Sequence, residues 1–286
     1  MADSDYTLRG QGGFASVATL GIGVGPLDTI LPISNIKTAT GDTRAVGEGV
    51  MLGTKEIGRL VSVASDHVVI ARGCADTIPQ SHAAGTPIWF FDDAIGAEDN
   101  PNDHAAGTTV GVKVLPTTVG GGQLALSASP PNALTFNYRF ARPYPPGNFK
   151  INAKPWFAYL HINDSTPDAV LTWAHRDRVL QADQLVEHEA ADVGPEAGTT
   201  YVVRVYNGSN VLKREVTGIT GTTWTYTKAM AQTDLGVAPS TPGYLTLHSV
   251  RDGLDSLQRY RADFFLTAVA GVGYGFNFGN NWGGNP

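Results

Sequence analysis

The chain has 286 residues, enough for one large or two ordinary domains with cores of their own. Only 16% of the residues are charged, the net charge is −6, and no Lys/Arg run is present, which excludes the basic stripe of a nucleic-acid binder. The single Cys74 excludes an intramolecular disulfide framework and a cysteine-based zinc site, while 34 glycines and 17 prolines point to an all-β chain with many turns.

Residues 1–22 read as an N-terminal arm. Arg9-Gly-Gln-Gly-Gly13 leads into an apolar patch, Phe14 to Leu20, with no evident strand pattern. Such a stretch needs a neighbour for its ordering, so Phe14 is a candidate interface residue. The start, Met1-Ala-Asp-Ser-Asp5, lacks the basic and apolar regions of a secretory signal. No apolar run reaches the ~18–20 residues of a membrane span. The expectation is a chain made in a cytoplasm.

Residues 23–150 hold short β-type runs broken by turns: 29–34, 49–53, 56–63, 66–72, 87–91, 109–115 and 134–139. Ala64-Ser65 joins two β-branched runs as a tight hairpin connection. No helical period persists beyond two turns. This pattern predicts a small β-barrel or sandwich. Within it Ser81-His-Ala-Ala-Gly-Thr86 recurs 22 residues on as Asp103-His-Ala-Ala-Gly-Thr108. The recurrence predicts two copies of one turn, each with glycine at a positive φ.

Ala141-Arg-Pro-Tyr-Pro-Pro-Gly-Asn148 is the expected boundary, because its prolines force extended backbone and remove ladder donors. Residues 151–271 then read as seven strands, near 156–162, 169–176, 200–206, 211–216, 222–227, 244–250 and 260–268. Leu171 and Trp173 share one face of a strand, as do Tyr201, Val203 and Val205. Trp173, Tyr201 and Tyr206 are the expected core anchors. The polar, acidic stretch 180–194 reads as a loop. The tail, residues 272–286, is low-complexity Gly/Asn with interleaved Tyr274, Phe276, Phe278 and Trp282. It cannot build a core, yet these rings are costly to leave in water, so packing on a partner chain is expected.

Two stretches resemble phage tail hub and tail-tip proteins. The first runs from Glu56-Ile-Gly-Arg-Leu-Val-Ser-Val63 through Arg72-Gly73, Asp76-Thr77, His82 and Gly85-Thr86. It is similar to a strand–Arg-Gly–Asp-Thr–His–Gly pattern in lambda-type host-specificity proteins and gene-transfer-agent hubs. The second combines Ala169-Val-Leu-Thr-Trp173, Tyr201-Val-Val-Arg-Val-Tyr206 and Ser249-Val-Arg-Asp-Gly-Leu-Asp-Ser256. It resembles the fibronectin type III-like module of the same proteins. The chain is far shorter than a full hub and lacks its long N-terminal domains. The resemblance implies an N-terminal small β-barrel or sandwich followed by a fibronectin type III-like β-sandwich, in a virion protein of the tail. It implies partners that are other copies of the chain, as a trimer or ring, and other tail proteins, in tail assembly and host attachment. A receptor- or glycan-binding role, as a tail or capsid-decoration protein, is the alternative.

No catalytic residue or cofactor is expected. Ser165, Ser209 and Ser249 lack a nucleophile elbow. Asp177, Asp183, Glu187 and Glu189 sit on a polar loop, where a glycosidase pair is the minor reading. Gly21-Ile-Gly-Val-Gly25 lacks the helix and acidic residue of a dinucleotide site. His67, His82 and His104 lack metal-ligand spacing and read as turn and packing residues. The acidic run 92–103 offers oxygen ligands without a calcium-loop register, and reads as a solvated loop. Cys74 is expected to be packed rather than reactive.

Overall fold

In the computed structural model, residues 3–8, 12, 15–37, 44–91, 104–118, 120–190, 192–236 and 240–267 are described. Six strands close into a barrel: β1 (Ser16–Leu20), β2 (Ile30–Lys37), β3 (Gly49–Leu52), β4 (Glu56–Val63), β5 (His67–Ala71) and β6 (Pro87–Phe90). Their order around the barrel is β1-β2-β5-β4-β3-β6, and β1 pairs with β6 to complete it. Side chains alternate along each strand, so every second residue points inward. Ala18, Leu20, Leu31, Val50, Leu60, Ile70 and Phe90 fill the interior. Closure leaves no sheet edge to solvate, and this is the physical gain from bringing β1 against β6.

Strand β1 corrects the N-terminal arm. Residues 16–20 are not a segment awaiting a neighbour but the staves that close the barrel, with Ser16, Ala18 and Leu20 buried. The inward residues Ser16 and Ala18 are small, so the alternation carries little hydrophobic contrast. That is why the sequence hides it.

After β6 comes a two-stranded hairpin, β7 (Thr109–Val112) and β8 (Asn132–Thr135), which pair only with each other among the described residues. The remaining strands are β9 (Gly147–Ile151), β10 (Lys154–Pro155), β11 (Leu160–Ile162), β12 (Asp168–Ala174), β13 (Thr200–Asn207), β14 (Leu212–Ile219), β15 (Thr223–Thr227), β16 (Thr241–Arg251), β17 (Leu254–Asp255) and β18 (Tyr260–Leu266). They form one sheet of order β10-β9-β12-β15 and a second of order β11-β18-β16-β13-β14, with β17 added to β16. Three ring pairs link the two sheets: Trp173 with Tyr201 at 5.4 Å, Tyr226 with Phe264 at 5.7 Å, and Phe149 with Tyr260 at 5.1 Å. Two facing sheets bridged by large buried aromatics make a β-sandwich.

A helix, α1 (Lys228–Leu235), follows β15 on the way to β16; the strand reading does not anticipate it. The Thr227 hydroxyl accepts from the Met230 amide at its start, and Gly236 ends it at φ 84°. Below it the Tyr226 hydroxyl and the Arg214 guanidinium both donate to Asp234.

The chain divides into two compact units. The barrel unit comprises residues 1–147 together with 175–199 and 249–259, and the sandwich unit takes 148–174, 200–248 and 260–286. Two connections between sandwich strands therefore belong to the barrel. The stretch 180–194 is irregular, as its polarity predicts, but Gln181 and His188 within it are buried.

Both copies of the repeated turn have one geometry. Thr86 N–H donates to Ala83 O and Thr108 N–H to Ala105 O, with Gly85 and Gly107 at φ 85° and 83°. Two further copies escape the sequence comparison. Glu48 N–H donates to Ala45 O around Gly47, and Thr199 N–H to Glu196 O around Gly198, again at positive φ. A glycine at the third position with a bond from first to fourth is the type II arrangement. In all four the next residue begins a strand: β3, β6, β7 and β13.

Candidate functional site

The hub-like motif converges on one buried carboxylate. Glu56, at the start of β4, is fully buried in the barrel unit. Arg72, which follows β5, forks onto it, with Nε 2.6 Å from Oε1 and Nη2 2.9 Å from Oε2. Gly73 N–H and Gln80 N–H also donate to the carboxylate, and His82 Nε2 lies 2.8 Å from Oε2. The remaining guanidinium donors of Arg72 go to the carbonyls of Gly25, Asp28 and Gln80. Burial pushes the Glu56 carboxyl up, but the hydrogen bonds from Arg72 and His82 outweigh it and hold the group below its ordinary range. Gly73 sits at φ 61°, and a Cβ there would come within 2.4 Å of Pro79. Thr77 closes the same turn, donating to Cys74 O and accepting from Ile57 N–H. Arg72, Gly73 and His82 of the motif thus grip Glu56 directly and Thr77 holds the turn between them, while Asp76 faces away from this clamp to Arg139.

The loop 175–199 seals that clamp. Arg176 donates to Gly73 O and Val186 O, Arg59 to Leu185 O, and His188 N–H to Arg72 O. Cys74 lies beneath, and burial raises its thiol to about 12, leaving it protonated and unreactive at neutral pH. Asp177 accepts from the amides of Val179 and Leu180, a turn-holding role. Asp183 and Glu189 are exposed.

The histidines divide by neighbour: His67 bonds to Asp66, His82 to Glu56, and His104 stacks on Phe136 at 4.4 Å. Among the described residues no group of three His, Cys, Asp or Glu is placed to hold a metal ion. The acidic run 92–103 lies outside the described residues, as do the interface candidates Phe14, Tyr274, Phe276, Phe278 and Trp282.

Of the core anchors, Trp173 and Tyr201 are buried. Tyr206 is half-buried and stacks on Tyr244 at 4.7 Å. It falls on the opposite face of β13 from Tyr201, as an odd-to-even shift along a strand requires.

The barrel unit also carries an open cleft of ≈ 900 Å³, which the sequence reading missed. Met51 and Ile57 of the barrel contribute to its lining, together with Leu134 of β8 and Phe136, Tyr138 and Phe140 of the segment that follows it. The last four recur at period two, the one signal of the cleft that the sequence offers. Phe140 is 78% exposed and Leu134 53%. The charged groups of the cleft cancel locally: Arg139 forks onto Asp76, and Arg178 Nη2 pairs with Glu196 at 2.9 Å. Burial raises the Tyr144 phenol above its ordinary value, so that ring too is neutral. The result is a concave, largely apolar surface next to a hairpin that buries almost nothing of its own. An isolated two-stranded hairpin is marginal in water, so this one gains from a partner surface. Just after β7, Lys113 bonds to Asp3 and lies 4.8 Å from the centre of the Tyr6 ring, so part of the N-terminal segment is held beside the chain's own hairpin.

No family model and no curated protein matches the chain. Among solved structures it is similar to a Fn3-like protein from Clostridium thermocellum, at 23% identity over 44% of this chain and 92% of that one, with a TM-score of 0.23. It is also similar to the chicken CNTN1 FN1–FN3 domains, at 10% identity, 90% and 66% coverage and a TM-score of 0.26. A third likeness is to the BSP domain of a biofilm associated protein, at 14% identity, 91% and 30% coverage and a TM-score of 0.21. The chain is all-β on the strength of its own sheets, a six-stranded barrel and a sandwich, with Fn3-like structural neighbours.

Proposed function

We propose that this chain is a structural protein of a bacteriophage tail, acting in tail-tip assembly and host attachment by holding other protein chains. The observation that carries the reading is the exposed hairpin with its neutral aromatic cleft, in a chain with only 16% charged residues. Apolar concavities with clustered aromatics are where permanent interfaces concentrate their binding energy. The tail assignment itself rests on the Arg72-Gly73, Asp76-Thr77 and His82 pattern, in which Arg72, Gly73 and His82 hold the buried Glu56 and Asp76 pairs with Arg139. Its partners would be further copies of itself, as a trimer or ring, and neighbouring tail proteins. A receptor- or glycan-binding role is the second reading, favoured by the Phe140 ring standing open to solvent, because flat exposed rings also stack on sugars.

The test is to express the chain in a phage-producing host with Phe140 and Leu134 changed to Asp. Normal folding with loss of the chain from purified tails is expected. Undiminished incorporation, or a wild-type chain never found in tails, would reject the proposal.

A further inference from the structure

We infer that the cleft of one copy takes the aromatic tail of another, so that the chain assembles head to tail through residues 268–286. This deepens the assembly reading and rests on it. The tail sequence, Gly271-Val-Gly-Tyr274-Gly-Phe276-Asn-Phe278-Gly, places three rings at i, i+2 and i+4. An extended strand of this sequence carries Tyr274, Phe276 and Phe278 on one face and only Gly and Asn between them. The acceptor has the same spacing in sequence, and Leu134, Phe136, Tyr138 and Phe140 all line the cleft.

Three physical matches select this occupant. Residues 268–286 contain no charged side chain, and the guanidinium groups of the cleft are already paired, so docking strands no charge. Three aromatic rings bury roughly 450–750 Å² at ~150–250 Å² each, close to the ~800 Å² per partner of a standard stable interface. Beside the cleft, β8 pairs only with β7 among the described residues, so its other edge offers main-chain donors and acceptors to an added strand. Gly275 between the first two rings, with Gly273 and Gly279 flanking the three, lets that strand approach closely. Because donor and acceptor are different surfaces, the contact is heterologous and closes into a ring or extends, according to the rotation between copies.

Sedimentation velocity on the full chain tests this with two variants and their mixture. The tail variant changes Tyr274, Phe276 and Phe278 to Ser; the cleft variant is Phe140→Asp. The wild-type chain should self-associate, and each variant alone should weaken association by about 30-fold or more, as loss of a central aromatic anchor does. Mixing the two should restore pairing, since the cleft variant still donates a tail and the tail variant still offers a cleft. Unchanged near-ultraviolet circular dichroism checks that both are folded. If association is lost in the tail variant but survives Phe140→Asp, the tail docks elsewhere: this inference fails and the assembly reading stands. If the mixture does not pair, the inference also fails. A wild-type chain that is monomeric at every concentration, with its tail on its own cleft or on nothing, overturns it and removes the support for self-assembly.

Discussion

Arg72 grips both carboxylate oxygens of Glu56, at 2.6 and 2.9 Å, with the two side chains withdrawn from solvent. A two-point contact of this kind fixes distance and plane together, and it ties the end of β5 to the start of β4. Removing one partner would strand the other charge inside the barrel. Glu56→Gln should therefore cost about 3–5 kcal/mol of stability, measured by urea unfolding. A loss below about 1 kcal/mol would show that the clamp is not holding the barrel end.

The same carboxylate makes stability depend on acid. Its folded-state affinity for protons is lowered, so between its depressed folded value and the ordinary glutamate range near 4.5 the unfolded chain binds more protons. The contribution is then fully present above the ordinary range and is lost as pH falls through the depressed value. Unfolding free energies measured from pH 6 downward should fall, and Glu56→Gln should flatten that slope. Equal slopes in the two proteins would assign the acid sensitivity elsewhere.

Cys74 reports on the same region. With its thiol raised to about 12 by burial, it should resist a thiol reagent at pH 8 in the native protein and react fully in denaturant. The native rate should track local or global opening, and fall with added stabilisation. Rapid stoichiometric labelling of the folded chain would contradict this.

In the sandwich, Trp173→Ala should cost about 3–5 kcal/mol, because the indole is buried against Tyr201. Tyr206→Ala should cost markedly less, since that ring is half-buried on the other face of the strand. Thermal unfolding of the two variants side by side decides the order.

Legibility in the sequence followed hydrophobic contrast. Strands such as 56–63 and 67–71 show as runs of β-branched residues, and the alternation around Leu171 and Trp173 places that pair inward. Strand β1 stays hidden because its inward Ser16 and Ala18 are too small to stand out. The eight-residue helix at 228–235 is too short for a period to register. The motif around Arg72 and His82 is visible, but its purpose is not, since Glu56 is 16 and 26 residues away and only folding joins the three. The cleft was least legible: Met51, Asp76, Phe140 and Arg178 come from four distant stretches of chain.

The most direct test of the account is a density map of an assembled tail in which this chain is traced. The account predicts that Leu134, Phe136, Tyr138 and Phe140 lie under a neighbouring chain, with the rings of the hairpin cleft withdrawn from solvent. A chain absent from the tail, or present with that cleft open to water, would contradict it.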